Sequence, residues 1–135
     1  MKLRVRHNSI RFRLGRTEVE RLWQGLECRE RICFPGNQQL EYVIQPSSSS
    51  TITALLLGQI ISVEIPRHDL AEWCASERVG LCAEIAVPHH APLQVLIERD
   101  FRCLDPAISE DQSDTFDNPL ERHSGDAIHG GGCEY

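Results

Sequence analysis

Hydrophobic and polar residues alternate over the first fourteen positions. Leu3 and Val5 fall on one face, with Lys2, Arg4 and Arg6 on the other. Ile10, Phe12 and Leu14 likewise oppose Arg11 and Arg13. A period of two argues for half-buried strands, and His7-Asn8-Ser9 between them suits a hairpin connection. The period then changes. Val19, Leu22, Trp23 and Leu26 fall at helical spacing, one apolar stripe. Thr17-Glu18-Val19-Glu20 has the spacing of a capping box at its start. Strands are expected over 28–34 and 40–45, split by the turn residues Pro35-Gly36-Asn37.

The same order then returns. Residues 46–51 are polar and serine-rich and read as a linker. Strands follow over 53–57 and 60–65. Asp69 to Glu72 repeats the capping-box spacing, and Leu70, Trp73 and Cys74 begin an apolar stripe. Further strands are expected over 81–87 and 93–98. Ile10 to Leu14 matches Ile61 to Ile65 at an offset of 51. Ile32, Pro35, Leu40, Tyr42 and Ile44 match Ile85, Pro88, Leu93, Val95 and Ile97 at 53, as a two-residue insertion after the second helix would give. Self-similarity at a fixed period points to a repeated unit. Trp23 and Trp73, near equivalent places in the two helices, are expected to anchor the core.

The expected fold is therefore α+β, an internally duplicated strand-strand-helix-strand-strand unit. It has about eight mostly antiparallel strands, as a barrel or a curved sheet, and two helices. Residues 1–104 form a single domain, with one repeat over 1–46, the linker over 46–51 and the second repeat over 52–100. Residues 105–135 are acidic and hold Gly and His. They are expected to form a partly disordered tail.

Composition narrows the function. A chain of 135 residues builds one moderate core. No apolar run reaches the roughly 20 residues of a membrane helix, so no membrane partner is expected. The alternating N-terminus reads as a strand rather than an export signal. The six cysteines, none in a C-x-x-C pair, are therefore expected as thiols in a reducing cytoplasm. Charge is uneven: residues 1–46 carry nine basic and five acidic residues, and 47–135 carry five and fifteen, for a net −6. That balance argues against nucleic acid as a partner. It also permits a homodimer that joins basic face to acidic face.

Three constellations carry candidate chemistry. Lys2, Arg4, Arg6, Arg11 and Arg13 would form a compact cationic face if the first two strands pair. The guanidinium fork of Arg4, Arg6, Arg11 and Arg13 suits phosphate or carboxylate. Facing Glu64, Glu84 and Glu98 across a barrel, these arginines would resemble the site of triphosphate-cleaving tunnel enzymes. The short Glu-x-Glu signature of such enzymes is missing from the N-terminus, and Glu18-Val19-Glu20 falls on a predicted helix. A solvated strand face explains the same cations. The second constellation is acidic: Cys103, Asp105, Asp111 and Asp114, with Glu110 and Asp117, could hold a divalent metal ion. Asp and Ser capping turns that fold this segment back on the sheet explain it better, and an acidic segment that binds a partner is a third reading. The third, His89-His90, His123, His129 and Cys133, has metal-binding side chains but no recognised spacing. No nucleophile elbow or phosphate-binding glycine loop is present.

Two segments, Lys2-Leu3-Arg4-Val5-Arg6-His7-Asn8-Ser9-Ile10-Arg11-Phe12-Arg13-Leu14 and Glu98-Arg99-Asp100-Phe101-Arg102-Cys103-Leu104-Asp105 with Glu110 to Pro119, resemble a small bacterial family known as a domain of unknown function. The resemblance covers residues 1 to about 120 and implies one intact domain, without an activity. The strand-helix-strand-strand order in each half also looks like the duplicated module of small-molecule-binding proteins of the gyrase-inhibitor type, an analogy of fold alone. The expectation is a non-enzymatic cytoplasmic binding module whose basic hairpin takes a small anion or an acidic protein partner. The alternatives are a metal-dependent phosphate-handling hydrolase of barrel type, or a metal-binding protein acting through Cys103 to Asp117.

Overall fold

The computed structural model describes residues 1–102 and 112–122. The elements are β1 (Lys2–Arg6), β2 (Ser9–Leu14), α1 (Arg16–Trp23), β3 (Cys28–Phe34) and β4 (Gln38–Ser47), then β5 (Thr53–Leu57), β6 (Ile60–Pro66), α2 (Arg67–Ala75), β7 (Gly80–Ile85) and β8 (Leu93–Arg99). A short 3-10 turn, Pro119–Arg122, follows. The order strand-strand-helix-strand-strand thus occurs twice, in an α+β protein. Among the described residues, no helix is long and apolar enough to cross a membrane.

The strands form two four-stranded sheets, ordered β1-β2-β8-β7 and β3-β4-β6-β5, and these do not close into a barrel. Each sheet takes one hairpin from each half of the chain. Hairpin partners run antiparallel, while the central pairs β2–β8 and β4–β6 run parallel. The registers repeat at the offsets found in the sequence. Arg4 pairs with Arg11 as Leu55 pairs with Ser62, and Ile10 pairs with Val95 as Ile61 pairs with Tyr42.

One core joins both sheets and both helices. Phe12, Leu14 and Ile97 from the first sheet meet Ile44, Val63 and Ile65 from the second, together with Leu22, Leu70 and Trp73. The rings of Phe12 and Tyr42 lie 6.3 Å apart across it. These are the inward positions of the alternating pattern, so period-two burial sets which face of each strand points out.

Several boundaries differ from expectation, each for a local reason. Helix α1 begins at Arg16 with Gly15 as its N-cap, so the capping box shifts by two residues and Glu18 Oε2 accepts from the Gly15 N–H at 2.8 Å. Thr17 is freed for another partner. Helix α2 follows Pro66 directly and has no side-chain cap, although Asp69 was placed to provide one. Strand β4 runs through Pro46 and Ser47, which pair in parallel with Ile65 and Pro66, so the expected linker starts inside the sheet. Strand β7 stops at Ile85 rather than at 87.

The tryptophans part company. Trp73 is fully buried, and its indole N–H donates to the Arg78 carbonyl at 3.0 Å. Trp23 ends an eight-residue helix that buries only Val19 and Leu22, and it is 57% exposed, so it does not anchor the core. Leu26 lies beyond that helix and is also exposed.

Candidate functional site

Strand alternation places Lys2, Arg4 and Arg6 of β1 on the outer face of the first sheet, beside Arg11 and Arg13 of β2. Lys2 lies opposite Arg13 and Arg4 opposite Arg11. Directly facing like charges destabilise a strand pair. Relief is partial. Lys2 Nζ lies 3.0 Å from Asp100 Oδ2. Glu98 on β8 lies 3.7 Å from Arg11 Nε and 4.0 Å from Arg13 Nε, distances for Coulomb attraction rather than hydrogen bonds. Arg4 and Arg6 make no hydrogen bond or ion pair with another described residue.

An open cleft of about 540 Å³ lies over this face. Arg4, Arg6 and Arg11 line it together with Ser9, Gln94 and Leu96. The hairpin turn and the loop before β8 form its end. His7 adopts a left-handed φ of 50° in that turn. The Asn8 side chain donates to the carbonyls of Ala91 at 2.8 Å and Pro92 at 3.2 Å, and the Gln94 N–H donates to the Asn8 carbonyl at 3.0 Å. Asn8 therefore ties the two sides of the cleft into one frame. Leu96, 5% exposed, floors it.

Of the four arginines proposed from sequence, three share this cleft. Arg13 lines a smaller hollow of about 130 Å³ with Lys2, Glu18 and Asp114. None of Glu64, Glu84 and Glu98 lines the larger cleft. Glu64 lies on the second sheet, where it accepts from Gln45 Nε2 at 3.3 Å. The tunnel arrangement of facing arginines and glutamates therefore does not form, because the sheets stay open and the cations sit outside.

The acidic constellation divides. Cys103, Asp105 and Asp111 lie outside the described residues, as do Glu110, His123, His129 and Cys133. Asp114 is described and serves α1. Its Oδ1 accepts from the Thr17 hydroxyl at 2.6 Å and the Thr17 N–H at 3.2 Å, while its carbonyl accepts from the Arg16 N–H at 2.9 Å. A carboxylate at a helix N-terminus satisfies orphan donors and complements the dipole. A Cβ on Gly15 would fall 2.4 Å from Asp114 Oδ2, so the close approach requires glycine. Phe116 completes this docking with Arg16 and Arg99 stacked on its ring at 5.6 and 5.4 Å. Among the described residues, no group of three His, Cys, Asp or Glu side chains is placed to hold a metal ion. His89 and His90 are exposed in a turn.

Sequence reasoning missed the residues that frame the cleft: Ser9, Gln94, Leu96 and the Ala91-Pro92 loop. The signal was the pair of offsets, since equating 10 with 61 and 42 with 95 brings β8 beside β2 once β4 is set beside β6.

Neither Cys28 nor Cys74 is an activated nucleophile. Burial pushes the Cys28 thiol up to about 11, with Glu18 adding to the shift, and burial also raises Cys74. In the second sheet Glu41 is held below the usual carboxylate range, chiefly by its hydrogen bond from Arg29 and also by Arg31.

Fold and site together define a two-sheet α+β protein with a cationic outer cleft. The chain belongs to DUF7009, a family of unknown function whose model matches residues 1–120. No curated protein and no solved structure matches it.

Proposed function

We propose that this protein is a non-enzymatic binding module of the cytoplasm that holds a small anion in the cleft of the β1–β2 hairpin. One observation carries the reading: Arg4 and Arg11 face each other across two strands in a cleft whose lining, among the described residues, holds three arginines and no carboxylate. Holding like charges together costs stability, and an anion placed between them recovers it. The guanidinium forks of Arg4, Arg6 and Arg11 supply paired donors for phosphate or carboxylate oxygens. The thiols of Cys28, Cys33 and Cys74 suit a reducing compartment. The repeated registers support an origin of the two halves by duplication.

The test is thermal unfolding in inorganic phosphate against chloride at matched ionic strength. A ligand that binds only the native state raises its stability by about 2.7 kcal/mol at a hundred times its dissociation constant. The melting temperature is expected to rise with phosphate in the native protein and to stay flat in Arg4→Gln. Equal curves in both salts for the native protein would overturn the reading.

A further inference from the structure

We infer that the cleft takes an organic diphosphate with a planar, uncharged body, a nucleoside diphosphate being the nearest common chemistry. This rests on the anion reading above and extends it. A volume of about 540 Å³ falls within the range of small-molecule sites, roughly 300–1,000 Å³, and an inorganic oxyanion fills only a minor part of it. The cations stand in two rows. Arg4 and Arg11 face each other, and Arg6 lies two residues further along β1, roughly 7 Å away at about 3.4 Å per residue. One phosphate gripped by the first row leaves Arg6 for a second phosphate. The remaining surface is of another kind. Pro92 presents apolar area above the nearly buried Leu96, and the exposed His7 ring stands at the turn. Arginine and histidine faces stack on planar groups. Gln94 and Ser9 supply neutral hydrogen-bonding groups, while the Asn8 amide is consumed in holding the loop. Two cationic grips beside a small apolar surface match a molecule charged at one end and flat and neutral at the other.

The experiment is titration calorimetry of the full chain with ADP, AMP, pyrophosphate, inorganic phosphate and adenosine. ADP is expected to bind at least tenfold more tightly than pyrophosphate, and adenosine not measurably. Arg6→Leu places at this position the residue found at its counterpart, Leu57, so the fold is expected to hold, as checked by its urea midpoint. In that variant ADP affinity is expected to fall about tenfold and AMP affinity by a clearly smaller factor; equal losses for both would overturn the assignment of Arg6 to a second phosphate. Pyrophosphate binding as tightly as ADP would overturn the inference and leave the anion site standing. Failure of every phosphate to bind would overturn the anion reading itself.

Discussion

At the outward positions of the first hairpin stand Lys2, Arg4, Arg6, Arg11 and Arg13. At the same register positions of the second stand Thr53, Leu55, Leu57, Ser62 and Glu64. The backbones pair alike, and each hairpin sits beside a parallel central strand. The inward residues are apolar in both. The fold therefore asks for the inner pattern and leaves the outer one open. Five cations on one hairpin, two pairs of them directly opposed, are not a requirement of the architecture. They are what the first sheet adds to it.

The central strands sharpen the contrast. Gln94 of β8 corresponds in register to Glu41 of β4. Glu41 is buried and accepts from Arg29, from Arg31 at 3.1 Å and from Gln39 at 3.1 Å, so the second sheet neutralises its own arginines. The first sheet has an amide where that carboxylate would be. The second sheet instead exposes Leu55 and Leu57 on its edge strand.

The largest expected effect separates the two helices. Trp73→Ala removes a fully buried side chain and is expected to cost about 3–5 kcal/mol, whereas Trp23→Ala stays within about 0.5 kcal/mol. Urea denaturation reads both, and equal losses would deny the asymmetry. Next, α1 depends on a cap from a distant segment and α2 has none. Asp114→Ala is expected to cost about 1 kcal/mol, while Asp69→Ala, which removes no cap, leaves stability nearly unchanged. Comparable losses would show that Asp114 does not cap in solution.

A smaller effect concerns pH. The folded-state pKa of Glu41 lies below its ordinary value of 4.5. Its ion pairs therefore contribute fully above that pH, and the contribution is lost as pH falls through the lower folded value. The native protein is expected to be more stable than Glu41→Gln at pH 7, with the gap narrowing below about pH 4.5. A gap constant down to pH 3 would contradict this. The converse change, Gln94→Glu, places a carboxylate in the cleft at the register position of Glu41. It is expected to abolish the phosphate-dependent rise in melting temperature without unfolding the protein.

Much of this arrangement was legible along the chain. Period-two patterning located β1 and β2, because alternating burial leaves a local trace; turn residues and the repeat located the other six, with β3 and β5 at the residues observed. The helix starts were less legible. Glycine at the cap and a partner nearly a hundred residues away replaced the Thr17–Glu20 box, and no local pattern encodes Asp114 against Thr17. Trp23 misled because its spacing fits the stripe while its helix ends before anything packs over it. The exchange of hairpins between sheets also joins distant segments, and only the two offsets hinted at it. For the site, the arginines could be read from the sequence as one face. Their separation, three in the cleft and Arg13 with Lys2 and Asp114, followed from where β8 and the docked segment lie.

The most direct test exchanges outer surfaces. A variant carrying Arg4→Leu, Arg6→Leu and Arg11→Ser gives the first hairpin the residues of the second. Its urea midpoint and its melting temperature in phosphate against chloride would be measured beside those of the native protein. The account predicts a midpoint equal to or above the native one, since opposed charges are removed, and no response to phosphate. A variant that unfolds would show that the cations serve the fold. One that keeps the phosphate response would show that the anion binds elsewhere.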